Sequence, residues 1–130
     1  MTEVDQFPDV ESALLYALVP LEPDIRFVTY APAGDLQIIT ARIHRISGAN
    51  HDIYIDRPIV DIDVFGFKTD IGGASDAARR IQADMLSLMG ARLVNGVVQF
   101  VSTVNGPRSL PEPNQDIVRY TASYEVKIHA

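Results

Sequence analysis

Pro58-Ile59-Val60-Asp61-Ile62-Asp63-Val64-Phe65-Gly66-Phe67 is the stretch whose reading decides the fold. Val60, Ile62 and Val64 fall on one side of an extended chain, and Asp61 and Asp63 on the other. Period-two alternation of this kind predicts a strand with one buried face. Pro58 stands at its start, where a missing amide does least harm.

Upstream, residues 47–57 are polar and carry Gly48, Asn50 and Asp52, which predicts a long connection. Before it, Leu36 to Ile46 predicts a strand with Ile39, Ala41 and Ile43 on one face and Thr40, Arg42 and His44 on the other. Arg26 to Tyr30 is a short β-rich run, and Pro32, Gly34 and Asp35 predict a turn after it. Val10, Ala13, Leu14, Ala17 and Leu18 follow the spacing of an amphipathic helix over Val10–Val19. Asp9 suits its N-cap, and Pro20 and Pro23 end it.

Downstream, Gly66 to Gly73 reads as a connection, with Gly72-Gly73 as a flexible entry turn. Ser75 opens a helix to about Met89, with Ala78, Ile81, Met85 and Leu88 as its buried stripe and Gly90 at its end. Asn95-Gly96 is a tight-turn signal, followed by a strand over Val97–Val104. Residues 105–115 contain Pro107, Pro111 and Pro113 and predict a proline-stiffened connection. Ile117 to His129 alternates along its full length. The order α-β-β-β-α-β-β predicts one α+β domain over residues 1–130: a mainly antiparallel sheet with two helices on one face.

Composition narrows the function. The chain has 130 residues, 47% apolar and 22% charged, enough for a hydrophobic core and unlike a disordered chain. A formal charge of −6 argues against a dedicated nucleic-acid binder, and the basic residues are scattered. Without cysteine there is no disulfide framework, zinc knuckle or thiol nucleophile. The start, Met1 to Pro8, is unlike a signal peptide, and the apolar run Ala13 to Leu21 is too short for a bilayer. A soluble cytoplasmic product is expected, with no membrane partner.

No catalytic signature stands out, and neither an enzyme nor a cofactor is expected. Asp61 and Asp63, with Asp56 nearby, are the residues best suited to a hard cation, but the bland reading of a solvated strand face outweighs it and no metal site is expected. His44, His51 and His129 lack ligand spacing. Gly66-Phe67-Lys68-Thr69 lacks the phosphate-loop spacing.

Three stretches resemble the tail terminator proteins of long-tailed bacteriophages, especially actinobacterial ones: Asp56 to Gly66, Gly106 to Asn114, and Val118-Arg119-Tyr120 with Ala122 to Val126. The Pro8-Asp9-Val10-Glu11 helix start fits as well, and the likeness runs from about Pro8 to Ile128. Many members carry a large aromatic where Ser109 stands here. The resemblance implies a structural virion protein in the tail and neck region, assembled in host cytoplasm. It implies a ring, usually a hexamer, that caps the tail tube, ends its polymerisation and offers the head connector a joining surface. Its partners are then copies of itself, the major tail tube protein and a connector or stopper protein. Genomic DNA passes through the lumen without specific binding, and six copies carrying about −36 formally would not grip phosphate. A head-completion or stopper protein, or a tube subunit, is the neighbouring alternative, and a small metal-dependent or ligand-binding domain on Asp56, Asp61 and Asp63 the more distant one.

The candidate contact residues are Ile38, Asp70, Arg108, Leu110 and Glu112. Ile38 sits on a strand face with Leu36 and Thr40 while Ile39 and Ile43 take the other, so both faces there are apolar and one needs a neighbour. Arg108 and Glu112 are the lone cation and anion of the 105–115 stretch and can fix register, with Leu110 as the apolar anchor between them.

Overall fold

The computed structural model describes residues 6–32 and 36–130. Helix α1 (Val10–Leu18) is followed by a 3-10 turn, Val19–Leu21. Strands β1 (Arg26–Val28), β2 (Thr40–Asn50) and β3 (Ile55–Phe67) come next. A second 3-10 turn, Lys68–Asp70, leads into α2 (Ile71–Ser87). Strands β4 (Arg92–Leu93), β5 (Gly96–Leu110) and β6 (Ile117–His129) complete the chain. The six strands form one sheet in the order β1-β2-β3-β6-β5-β4. All pairs are antiparallel except β1 with β2, which run parallel. The fold is α+β, as the alternation around Val60 implies.

Each helix begins on a carboxylate. Asp9 accepts from the amides of Glu11 and Ser12, and Asp70 accepts from the Gly73 amide at 3.0 Å. A side chain at Gly73 would collide with the Asp70 carboxylate, so glycine is what lets this cap close. The pair Gly72-Gly73 is therefore the first turn of α2, not a flexible entry. The helix starts four residues ahead of the expected Ser75.

Both helices lie on one face of the sheet. Leu14 and Leu18 of α1 and Ile81 and Met85 of α2 pack with Ile43, Val60, Ile62, Val98, Tyr124, Val126 and Ile128, all 2% exposed or less. Burial pushes the Tyr124 phenol pKa far up. Fully burying each aliphatic side chain contributes about 1.5–3 kcal/mol.

Three expectations need correction. Residues 47–57 are not a long loop: β2 continues to Asn50, β3 starts at Ile55, and only 51–54 connect them. Gly48, at φ +96°, sits so close to the Arg57 and Ile59 backbone that no side chain fits. Its loop-like composition marks a kinked ladder instead. Residues 105–115 are likewise mostly strand, since β5 runs to Leu110 and pairs Arg108, Ser109 and Leu110 with Thr121, Tyr120 and Arg119. Pro107 is tolerated because β5 has a partner strand on one side only there. The strand expected from Leu36 starts at Thr40. Gly34 and Asp35 of the turn expected before it lie outside the described residues.

Asp84 of α2 and Glu22 place two carboxyls together beside Arg80. Burial of Asp84 first, then the Glu22 carboxyl, raise the Asp84 pKa to about 6, against a partial offset from Arg80. Folding thus disfavours the ionised form, and the cost is fully present above pH 6 and fades as pH falls toward 3.8. Asp84→Asn is expected to raise the melting temperature at pH 7–8, with the gain over the parent shrinking toward pH 4 in parallel thermal melts.

Candidate assembly surface

Strand β3 pairs with β2 on one side and β6 on the other, and its two ends define two surfaces. Its thirteen residues span about 40 Å. At its C-terminal end Phe67 stands opposite Ile117, and the Lys68 amide donates to the Asp116 carbonyl at 3.0 Å. Thr40 stands opposite Phe65, and Leu110 opposite Arg119, which in turn faces Phe65. This register brings Ile38, Asp70, Leu110 and Glu112 to one end of the sheet, with Arg108 two residues further in. Five residues scattered over 75 positions of sequence thus flank a single edge of the molecule.

Their local roles differ. Ile38 is 45% exposed and precedes β2, so it does not share a strand face with Thr40 as expected. It lines a cleft of about 240 Å³ with Arg26, Val28, Tyr30 and Thr40. Asp70 already serves as the α2 cap. Arg108 is exposed on β5, while Leu110 and Glu112 are half-buried. Glu112 lies in the short connection 111–116 between β5 and β6.

The helix-free face of the sheet holds an ionic cluster that the sequence did not disclose. Asp63 lies on that face, yet its side chain is fully buried. The Arg42 guanidinium donates to its Oδ2 from Nε at 3.1 Å and from Nη2 at 2.5 Å. Arg119 Nη2 lies 3.2 Å from Oδ1, and its guanidinium sits 5.8 Å from the Phe65 ring centre. Burial acts against ionisation of Asp63, but the Thr121 hydroxyl and the two guanidiniums outweigh it and hold the pKa below the ordinary carboxylate value. The period-two pattern put Asp63 on a solvated face, where long arginine side chains from β2 and β6 now cover it. The signal was present as Arg42 and Arg119, but only the strand register shows that both reach position 63.

The acidic triplet does not converge. Asp61 accepts from the Ser123 hydroxyl on the open face, and Asp63 is held by two arginines. Asp56 belongs to the other face, where Arg45 binds it at 2.7 Å. Among the described residues no group of three His, Cys, Asp or Glu side chains is placed to hold a metal ion. No helix is long and apolar enough to cross a membrane, among the same residues.

The opposite end of β3 is a hairpin arm. Ile46, Ile53 and Tyr54 are exposed there at 49%, 46% and 66%. No sequence pattern singled out this arm, because residues 47–57 read as a polar loop.

No protein-family model matches the chain, and no curated protein matches it. Among solved structures the fold is similar to a chain of the structure described as the virion of a native gene transfer agent (GTA) particle. The TM-score is 0.65 at 14% sequence identity, over 93% of this chain and 95% of that one.

Removing the Asp63 carboxylate leaves two guanidiniums facing each other without a counter-charge. Asp63→Ala is expected to lower stability by about 3 kcal/mol in denaturant titrations at pH 7. Because the folded pKa is depressed, the difference from the parent should narrow as pH falls through and below 3.8. A pH-independent loss would contradict the ionic origin.

Proposed function

We propose that the chain is a structural subunit of a phage-like virion, and within it the tail terminator. Copies form a ring, with six the expected number, on the head-proximal end of the tail tube. The ring ends tube growth and presents the surface to which the head connector or stopper protein binds. DNA passes through the lumen with no specific contact. The role is non-enzymatic.

One observation carries this reading: the two long hairpins turn at opposite ends of one continuous sheet. The β2–β3 tip lies at the N-terminal end of β3, and the β5–β6 tip at its C-terminal end. A joining protein needs two separate docking ends on one rigid body, and the continuous sheet supplies them. The end-to-end match to a chain of a virion structure supports the same reading. So does the resemblance carried by Asp56 to Gly66 and Gly106 to Asn114. At the β5–β6 end, Arg108, Leu110 and Glu112 provide a cation, an apolar anchor and an anion, with Ile38 and Asp70 at the same edge. Charges so placed set register and approach more than affinity.

In the producing host, loss of the chain should yield heads separated from tails and tubes of uncontrolled length, scored by electron microscopy. Complementation with Arg108→Glu combined with Leu110→Asp should lower the count of joined particles by about tenfold or more, as expected for loss of interface anchors. Joined particles at parental numbers in the deletion host would overturn the proposal.

A further inference from the structure

The strand register gathers arginines that lie far apart in the sequence. On the helix-free face Arg108 stands opposite Thr121, Thr121 opposite Asp63, Asp63 opposite Arg42, and Arg42 opposite Val28. The next row toward the C-terminal end of β3 reads Leu110, Arg119, Phe65, Thr40 and Arg26. Two adjacent rows thus hold Arg26, Arg42, Arg119 and Arg108, one each from β1, β2, β6 and β5. At the usual strand spacing this band is about 19 Å wide. The only carboxylate in the two rows is Asp63, fully buried and bound by two of the guanidiniums. Four cations against one anion make the band a formal +3 in a chain of −6, which leaves −9 on the remainder.

Three of the four guanidiniums are held in place. Arg42 and Arg119 bind Asp63, Arg119 lies over the Phe65 ring, and Arg26 Nη2 donates to the Tyr30 hydroxyl at 3.3 Å. A held guanidinium loses less rotamer freedom when a ligand arrives. Arg26 and Arg108 are exposed, and Arg42 and Arg119 keep 22% and 27% of their side chains open to water.

The surroundings of the band select among anions. Leu110 within it, and Phe67 and Ile117 in the row beyond, are half-buried apolar side chains on the same face. On the other side Asp61 and Glu125 stand in the next two rows. A nucleic acid is a continuous polyanion with a charge about every 1.7 Å, so it meets Asp61, Glu125 and the field of the acidic remainder as well as the band. A short carboxylate-bearing protein segment is confined to the band and has apolar side chains to set against Leu110, Phe67 and Ile117. The band holds no lysine. Planar guanidiniums bind carboxylates through paired hydrogen bonds, and arginine beside aromatic residues is enriched in protein contacts.

We infer that this arginine band docks an acidic surface of another protein, whose carboxylates pair with Arg26 and Arg108 and whose apolar side chains cover Leu110, Phe67 and Ile117. Opposite charge steers the approach and fixes register more than it adds affinity, so the contact is sensitive to salt. This names the partner chemistry at the C-terminal end of β3, and it rests on the terminator reading for the partner's place in the particle.

The test uses the purified, isotope-labelled chain, read by NMR through the Nε–H signals of its arginines. The probe is a capped peptide of about eight residues alternating glutamate and leucine, long enough to span the band. It is titrated in about 20 mM salt, where screening is weak. Saturable shifts confined to the arginines of the band are expected, with a Kd of about 1 mM or tighter. Arg26→Gln with Arg108→Gln should weaken binding about fivefold at the parental melting temperature, and Arg26→Lys with Arg108→Lys should restore most of it. The same peptide with lysine in place of glutamate should leave the signals unmoved. Arginine signals that stay unmoved at about 10 mM glutamate peptide overturn the proposal. So does a duplex DNA of about twelve base pairs that binds more tightly than the peptide, which would make the ligand a phosphate chain. If peptide binding fails while particles from the deletion host are unjoined, the terminator reading stands without this partner. If binding holds while those particles are joined at parental numbers, the acidic docking site stands and the role falls.

Discussion

Strand β3 carries an antiparallel ladder on each side, and every other placement depends on that double register. Its pairing with β2 sets Arg42 against Asp63, and its pairing with β6 sets Asp63 against Thr121. A slip of one residue would turn Val60, Ile62 and Val64 away from the helices and bring Asp61 and Asp63 into the core. The apolar face enforces the register from one side. The Asp63–Arg42–Arg119 cluster enforces it from the other, because only this alignment gives a buried carboxylate its two cations. The same alignment fixes which ends of the hairpins project and in which directions.

The helix-free face differs in character from the chain as a whole. Arg42, Arg57, Arg108, Arg119 and Lys127 share it with Asp61, Asp63 and Glu125. The formal charge of −6 is therefore carried on other surfaces of the protein. Polar cross-strand pairs such as Asp61 with Ser123 let this face meet water without a covering layer. Its carboxylates Asp61 and Asp63 find partners across strands, whereas at the arm tip Ile53 and Tyr54 meet water.

Sequence pattern revealed the core and obscured the arms. Helix α1, the centre of β3 and all of β6 follow from periodicity, because one face of each is buried by the others. Residues 47–50 escaped it because the β2–β3 arm is exposed toward its tip, and residues 105–110 because they form the outer part of β5, with a partner strand on one side only. Neither face of those segments is buried, so no alternation is selected, and Gly48 and Pro107 look like loop residues while serving in strands. The Asp63 cluster was hidden for a different reason: its members lie 21 and 56 positions apart and meet only through the sheet. The candidate contacts Ile38, Asp70, Arg108, Leu110 and Glu112 were named separately, and the register gathers them at one end. The apolar tip at Ile53 and Tyr54 carried no periodic signal at all.

The central claim is that this chain is a joining ring with its two hairpin ends committed to different neighbours. Cryo-electron microscopy of intact particles, at a resolution that traces strands, tests it most directly. The account predicts one ring of this fold at the head–tail junction, with its two hairpin ends against different neighbours. Finding the chain repeated along the tail tube, or in the shell of the head, would contradict it.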